Sequence, residues 1–409
     1  MAYSYLKSAD IKNKTVLLRV DLNEERNEQG KLMDDFRLQA IVPTIQYLRK
    51  QKAKVVILSH AGRPEGKPNA DLSLLPMAER LAELLEIKFV TTEASAPDYP
   101  IAHLVFVTGD ITKKNTAEAI KKSAPNNILL LENLRFYPGE DANSAQFAKT
   151  LASLGDVYVN DAFAVSHREA ASIVGITEHL PSYVGPSLEK EIKNLDYIAE
   201  KSKKPFVLMM GGIKISDKAK TLERLGKRAD QILVGGGLAN VFFAAEGLNI
   251  GESVIEEGSI KLAWTLLKNF KNKLVLPKDV AVFDTKLEHI KPAVRNRYDI
   301  KSSEKICDIG PKTIMEYSKI IRGAKTVCWN GPLGYFEHKP FRAGTMSLAK
   351  VLGGVGKRKT FVAAGGGETV AAIRLAHQQD HFDHVSTGGG SMLEYLAGNE
   401  LPGLKALKK

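Results

Sequence analysis

Only two cysteines, Cys307 and Cys328, occur in 409 residues, and neither sits in CxxC or metal-ligand spacing, so reduced thiols in a cytoplasmic setting are expected. No uncharged apolar run approaches the roughly 20 residues that span a bilayer, and no membrane partner is expected. The opening stretch, Met1-Ala-Tyr-Ser-Tyr-Leu-Lys7, lacks a basic segment followed by an apolar one, which argues against secretion. A Gly-x-Gly-x-x-Gly turn after the first strand of a domain, the mark of a dinucleotide-dependent dehydrogenase, is missing; Gly235-Gly-Gly237-Leu-Ala-Asn240 lacks its last glycine. Gly-x-x-x-x-Gly-Lys-Ser/Thr is absent too, which removes the P-loop enzymes. No nucleophile-plus-base motif is found, so chemistry through a covalent enzyme intermediate has no candidate.

What is present is the composition of a soluble globular protein, 44% apolar and 26% charged, long enough for two domains. The net charge of +11 suggests a nucleic-acid partner, but its distribution does not. Residues 1–175 hold 22 basic and 22 acidic side chains, so the whole excess lies in residues 176–409. There it is scattered, apart from short runs such as Lys357-Arg358-Lys359, which read as solvated surface. An arginine-rich arm or an aromatic-and-basic platform is lacking, and no nucleic acid is expected.

The first half alternates apolar strands with amphipathic helices, the pattern of a parallel α/β sheet. Strands are predicted at Thr15–Val20, Lys54–Leu58, His103–Val107, Asn127–Leu131 and Asp156–Val159. Helices are predicted at Arg37–Lys50, with a possible kink at Pro43, and at Ser73–Leu85 and Asn143–Leu154, the last two opening on residues that can N-cap. Ligands of open parallel sheets bind beyond the carboxyl ends of the strands. Those ends carry Asp21 and Asn23, then His60 and Arg63, then Arg135, then His167 and Arg168, while Arg37 opens a helix. Any one of these has a bland reading as a solvated or paired side chain. Three strand-end loops each presenting arginine point instead to a small, multiply charged acid, because guanidinium grips carboxylate and phosphate bidentately.

Residues 176–190 interrupt the periodicity with two prolines and a glycine, and the helix Leu188–Glu200 leads into the second half. The strands there end in glycine: Gly211-Gly212, Gly235-Gly236-Gly237, Gly331, Gly365-Gly366-Gly367 and Gly388-Gly-Gly390. Three triplets and a doublet after apolar strands describe a backbone surface that a base and its phosphates can approach closely. Ser216 is a plausible N-cap, which sets Lys214 just ahead of a helix and Lys218 in its first turn, both able to sit near phosphates. In Phe361-Val-Ala-Ala-Gly-Gly-Gly-Glu-Thr369 a strand, a glycine turn and a helix start make an anion site. Glu368 there would repel phosphate unless a cation stands between them. A rim of Arg and His in one half and of Gly and Lys in the other would hold an acidic molecule opposite a nucleotide across a cleft.

Seven stretches carry a resemblance to the phosphoglycerate kinase family from end to end: Arg19-Val-Asp-Leu-Asn23, Ser59-His-Ala-Gly-Arg-Pro64, Leu130-Leu-Glu-Asn-Leu-Arg-Phe136, Asp161-Ala-Phe-Ala-Val-Ser-His-Arg168, Gly211-Gly-Ile-Lys214, Trp329-Asn-Gly-Pro332 and Val385-Ser-Thr-Gly-Gly-Gly390. The resemblance implies two doubly wound parallel-sheet domains, a hinge helix between them, and phosphoryl transfer from 1,3-bisphosphoglycerate to Mg-ADP, giving 3-phosphoglycerate and ATP. It implies a 3-phosphoglycerate domain over 1–175, a linker and hinge over 176–200, a nucleotide domain over 201–395, and a tail, 396–409, returning to the first domain. By the same resemblance Asp21 and Asn23 contact the glycerate, and His60, Arg63, Arg135 and Arg168 hold its 3-phosphate. Arg37, Lys214 and Gly367 are the catalytic positions. Lys218, Gly235, Gly236, Asn330, Glu337, Gly366, Gly367, Glu368 and Thr369 take the nucleotide, with Glu368 as the Mg²⁺ ligand. A monomer is expected. The chain departs from the family pattern in three places: Ala61 for leucine, Ala164-Val-Ser166 for Gly-Thr-Ala, and Glu368 for aspartate. An inactive nucleotide-binding protein of the same fold is the alternative; it would show erosion of Arg37, Lys214 or the rim arginines, and all are present.

Overall fold

A computed structural model describes residues 3–93, 101–286 and 292–408, so residues 1–2, 94–100, 287–291 and 409 of the expected ranges lie outside the described residues. The chain divides into two compact units, Met1–Ile192 with Glu400–Lys409, and Lys193–Asn399.

The first unit is built on a seven-stranded sheet: β1 (Thr15–Arg19), β2 (Lys54–Leu58), β3 (Lys88–Thr92), β4 (His103–Val107), β5 (Ile128–Leu131), β6 (Val157–Asn160) and β7 (Ser182–Val184). The order is β3-β4-β5-β2-β1-β6-β7 and every pairing is parallel. Strands β2, β4, β5 and β6 are buried along their whole length, as apolar runs must be in a sheet covered on both faces. Strands β5, β2, β1 and β6 are neighbours, which sets the loops bearing Arg135, His60, Asp21 and Arg168 side by side.

The helix Phe36–Lys50 buries Leu38, Ile41, Ile45 and Leu48 against this sheet. Pro43 lies inside it on the exposed side and does not end it; the hydrogen bond it forgoes faces solvent. Sequence periodicity missed β3, a half-exposed edge strand, and β7, three residues between Pro181 and Pro186. The short helix Pro402–Lys405 belongs to this unit; Gly403 N–H donates to Ser166 O at 2.9 Å, and Leu401, Leu404 and Leu407 are buried.

The second unit contains β8 (Phe206–Met210), β9 (Gln231–Val234), β10 (Leu274–Val275), β11 (Asp279–Asp284), β12 (Ala293–Asn296), β13 (Glu304–Ile309), β14 (Thr326–Asn330), β15 (Phe361–Gly365) and β16 (His384–Val385). Six form a parallel sheet, β10-β9-β8-β14-β15-β16, and β12-β11-β13 form an antiparallel sheet that strand-and-helix alternation did not anticipate. The helix between the halves runs Pro186–Asp196 and then widens into a π turn over Tyr197–Lys201. Ser216 does not cap its helix. It is the first helical residue of Ser216–Arg228, and the acceptor is Glu256, whose Oε2 takes the Ser216 N–H at 3.0 Å and whose Oε1 takes its hydroxyl. Lys218 remains in the first turn.

Candidate active site

In the first unit the site begins with a buried histidine. His60 Nδ1 lies 3.3 Å from Arg19 Nη2 and 3.9 Å from Asp21 Oδ1. Burial, followed by the charges of Arg19, Arg135, Arg37 and Arg168, pushes its pKa well below the usual value, so the imidazole is neutral. Its Nδ1 is then free to accept from Arg19, which leaves Nε2 as the donor. Asp21 Oδ2 receives Arg37 Nη1 at 2.9 Å, and the same nitrogen donates to Asn23 O at 2.7 Å.

Gly62 ties two more predicted residues together: its N–H donates to Asn23 Oδ1 at 2.8 Å, and its carbonyl accepts from Arg135 Nη1 at 2.7 Å. Arg135 also holds Asp141 Oδ1 from Nε at 3.2 Å. Arg63 is exposed at the edge, while Arg168 and His167 are half-buried in the loop after β6. Thus Asp21, Asn23, Arg37, His60 and Arg135 are brought together, with Arg168 near enough to act on His60 by charge.

Arg19, which the sequence marks only as the first residue of a motif, is central to this network. It is 2% exposed, donates from Nε to Ser172 Oγ at 2.8 Å and from Nη1 to Val20 O, and faces His60. Ser172 in turn donates to Glu140 Oε1 at 2.5 Å from its hydroxyl and to Oε2 at 3.0 Å from its N–H. The signal available was one charge closing the apolar run Thr15-Val-Leu-Leu-Arg19, a cost to burial that only a network offsets.

In the second unit the glycine loops interlock by backbone. Gly211 N–H donates to Asn330 O at 2.9 Å, Gly212 N–H to Pro332 O at 2.8 Å, Gly236 N–H to Leu333 O at 2.8 Å, and Leu238 N–H to Gly212 O at 2.8 Å. A Cβ on Gly211 would stand 2.0 Å from Pro332 O, so no larger residue fits. These loops wall a cavity of about 260 Å³, which Gly236, Gly237, Asp308, Tyr335, Glu337 and Glu368 help to line. Gly235 caps the helix Gly236–Ala245 beside it, against Leu333.

Gly366, at φ +104°, turns the chain into the helix Gly367–Leu375, so Glu368 lies in the first helical turn rather than ahead of it. Asn330 Nδ2 donates to Gly365 O at 2.8 Å, and Thr369 Oγ1 accepts Gly331 N–H at 2.7 Å; both side chains brace the turn and are buried. Lys218 is buried beside Gly212, and burial lowers its pKa against the opposing charges of Asp217, Glu368 and Glu256. Lys214 is exposed and does not line the cavity. Asp308, unassigned from sequence, is buried in the cavity wall; it accepts the N–H of Gly344 at 2.6 Å, and burial pushes its carboxyl up to about 8.

The sequence pattern of the family described as "Phosphoglycerate kinase" matches residues 6–399. The chain belongs to the phosphoglycerate kinase family. It is 42% identical to the phosphoglycerate kinase of Chloroflexus aggregans over 406 residues, and 41% identical to that of Desulforudis audaxviator over 407, covering 98% of each chain in both cases. Among solved structures it matches phosphoglycerate kinase from Coxiella burnetii at TM-score 0.82 and 36% identity, over 99% of each chain. It matches that of Pyrococcus horikoshii at TM-score 0.83 and 32% identity, over 99% of this chain and 98% of the other. The reaction is the reversible phosphoryl transfer of glycolysis between 1,3-bisphosphoglycerate and ADP, yielding 3-phosphoglycerate and ATP. An inactive binding protein is not favoured.

Proposed function

We propose that the two units divide the substrates: Met1–Ile192 takes 3-phosphoglycerate and Lys193–Asn399 takes the nucleotide. The observation that carries this is a contrast, a neutral His60 ringed by four arginines in one unit and a glycine-walled cavity in the other. His60 Nε2, Arg63, Arg135 and Arg168 hold the 3-phosphate, while Asp21 and Asn23 face the glycerate. Arg37 meets the reacting carboxylate or acyl phosphate, and Lys214 and the Gly367 N–H meet the phosphoryl group in transit. Lys218, with Gly235, Gly236, Asn330, Gly366 and Thr369, shapes the nucleotide side, and Glu337 at the cavity rim meets the ribose. In-line transfer between bound substrates asks for positioning and charge neutralisation, which is what these residues supply.

Glu368 suits Mg²⁺ as a single carboxylate. The described residues contain no cluster of three or more His, Cys, Asp or Glu able to hold a metal ion by itself, and Mg²⁺ is commonly held by one or two carboxylates together with substrate phosphates. Glu368 would hold the ion, which would supply charge neutralisation to the nucleotide phosphates. Residues 176–200 act as a hinge between the units. The enzyme works as a monomer in the cytoplasm; its two thiols are free and buried, as a reducing compartment allows, and no helix among the described residues is long and apolar enough to cross a membrane. Arg37→Ala tests the central assignment: kcat in a coupled assay with 3-phosphoglycerate and Mg-ATP falls at least about tenfold, and an unchanged kcat removes Arg37 from the reaction.

A further inference from the structure

Glu24 follows Asn23 in the loop after β1 and has no part in the roles above. Its side chain is only 6% exposed and faces Arg37. Oε1 accepts the Arg37 backbone N–H at 2.5 Å, at the start of the helix Phe36–Lys50, and Oε2 lies 4.0 Å from Arg37 Nε. From the other side, Arg37 Nη1 is held by Asp21 Oδ2 at 2.9 Å and Asn23 O at 2.7 Å. One guanidinium therefore stands between two carboxylates. Resting on the reading of Arg37 as the ligand of the substrate's reacting end, we propose that Glu24 is a positioning residue that anchors Arg37 at its helix start and whose ionisation sets how much uncompensated positive charge Arg37 offers to an anion.

The charged groups facing Glu24 are Arg37, Asp34 and Asp21. Burial is the dominant influence and pushes the Glu24 carboxyl up to about 7; the hydrogen bond and charge of Arg37 oppose it, and the two aspartates add to it. Neutral Glu24 leaves Asp21 as the one carboxylate close against Arg37. Ionised Glu24 adds a second negative charge, which an incoming carboxylate or acyl phosphate must oppose. Anion binding and protonation of Glu24 therefore favour each other, and by reciprocity 3-phosphoglycerate binding draws a proton onto Glu24. A rise of one unit in the Glu24 pKa on binding corresponds to about tenfold in affinity across the titration.

The test is calorimetric titration of the full chain with 3-phosphoglycerate at pH 7.5 in two buffers of different ionisation enthalpy, for wild type and Glu24→Gln. The substrate phosphate titrates in both proteins, so the difference isolates Glu24. Wild type is expected to take up about half a proton more than Glu24→Gln, and its KM for 3-phosphoglycerate to rise several-fold more between pH 6.5 and 8.5. Equal uptake and superimposable pH profiles overturn the proposal. Glutamine keeps an acceptor for the Arg37 N–H; should that variant still fold poorly, carbon NMR titration of Glu24 in wild type decides. Its midpoint is expected to rise when 3-phosphoglycerate is added, and a fixed midpoint overturns the proposal. Arg37→Ala separates the two levels: if it loses activity while wild type and Glu24→Gln match, Glu24 alone is misread, and if it stays active the Arg37 reading falls as well.

Discussion

In the unit Met1–Ile192 the candidate site is built from charged side chains, whereas in Lys193–Asn399 it is built largely from backbone. The first site keeps several guanidinium groups around one imidazole by giving each a partner: Ser172 for Arg19, Asp21 for Arg37, Asp141 for Arg135. The second site removes side chains until strands β8 and β14 lock through N–H and carbonyl groups alone. The two therefore break in opposite ways. A site of side chains is sensitive to which head group stands at each position, and a site of backbone is sensitive to a single methyl.

Gly211→Ala carries the largest expected effect. Its Cβ has no room before Pro332 O, so the β8 and β14 loops must part. The expected cost is about 3 kcal/mol of stability together with loss of nucleotide binding, read by thermal unfolding and nucleotide KM. A variant of native stability would mean that the wall is not made by backbone packing.

Arg135→Lys is the matching change in the first unit. It deletes the planar fork that reaches both Gly62 O and Asp141. KM for 3-phosphoglycerate is expected to rise about tenfold with little change in unfolding temperature. Unchanged KM would take Arg135 out of the binding set. Glu368→Gln carries the smallest effect, a few-fold increase in the Mg²⁺ concentration needed for half-maximal rate. Behaviour like wild type would leave the helix start and backbone as the whole anion site.

The central strands of the parallel sheets were legible because they are apolar runs, unlike the edge strands β3 and β7, and the loops after β1, β2, β5 and β6 were legible because charge appears where each run stops. Other features lack such a local mark. In the antiparallel sheet β12-β11-β13 only β12 alternates, between half-buried and exposed residues, while β11 and β13 mix buried and half-buried residues without strict alternation, a weak pattern at four to six residues per strand. Glu256 caps a helix 40 residues away, a relation that spacing cannot disclose. Arg19, Glu24 and Asp308 act from inside, where a charge in a sequence looks the same as one on the surface; only burial distinguishes them. Ser216 misled because a serine before a helix is so often its cap, yet here it is already within the first turn.

The division of substrates is tested most directly by binding isotherms for 3-phosphoglycerate and for ATP on Arg135→Lys and on Gly237→Ala. Gly237 lines the cavity, and a Cβ there would stand 3.1 Å from Ile213 Cα, a tight contact that asks for a shift of a few tenths of an ångström, far less than the 2.0 Å clash at Gly211. A crossover is expected: Arg135→Lys weakens 3-phosphoglycerate about tenfold and leaves ATP unchanged, while Gly237→Ala weakens ATP and leaves 3-phosphoglycerate unchanged. Either variant weakening both ligands equally would contradict it.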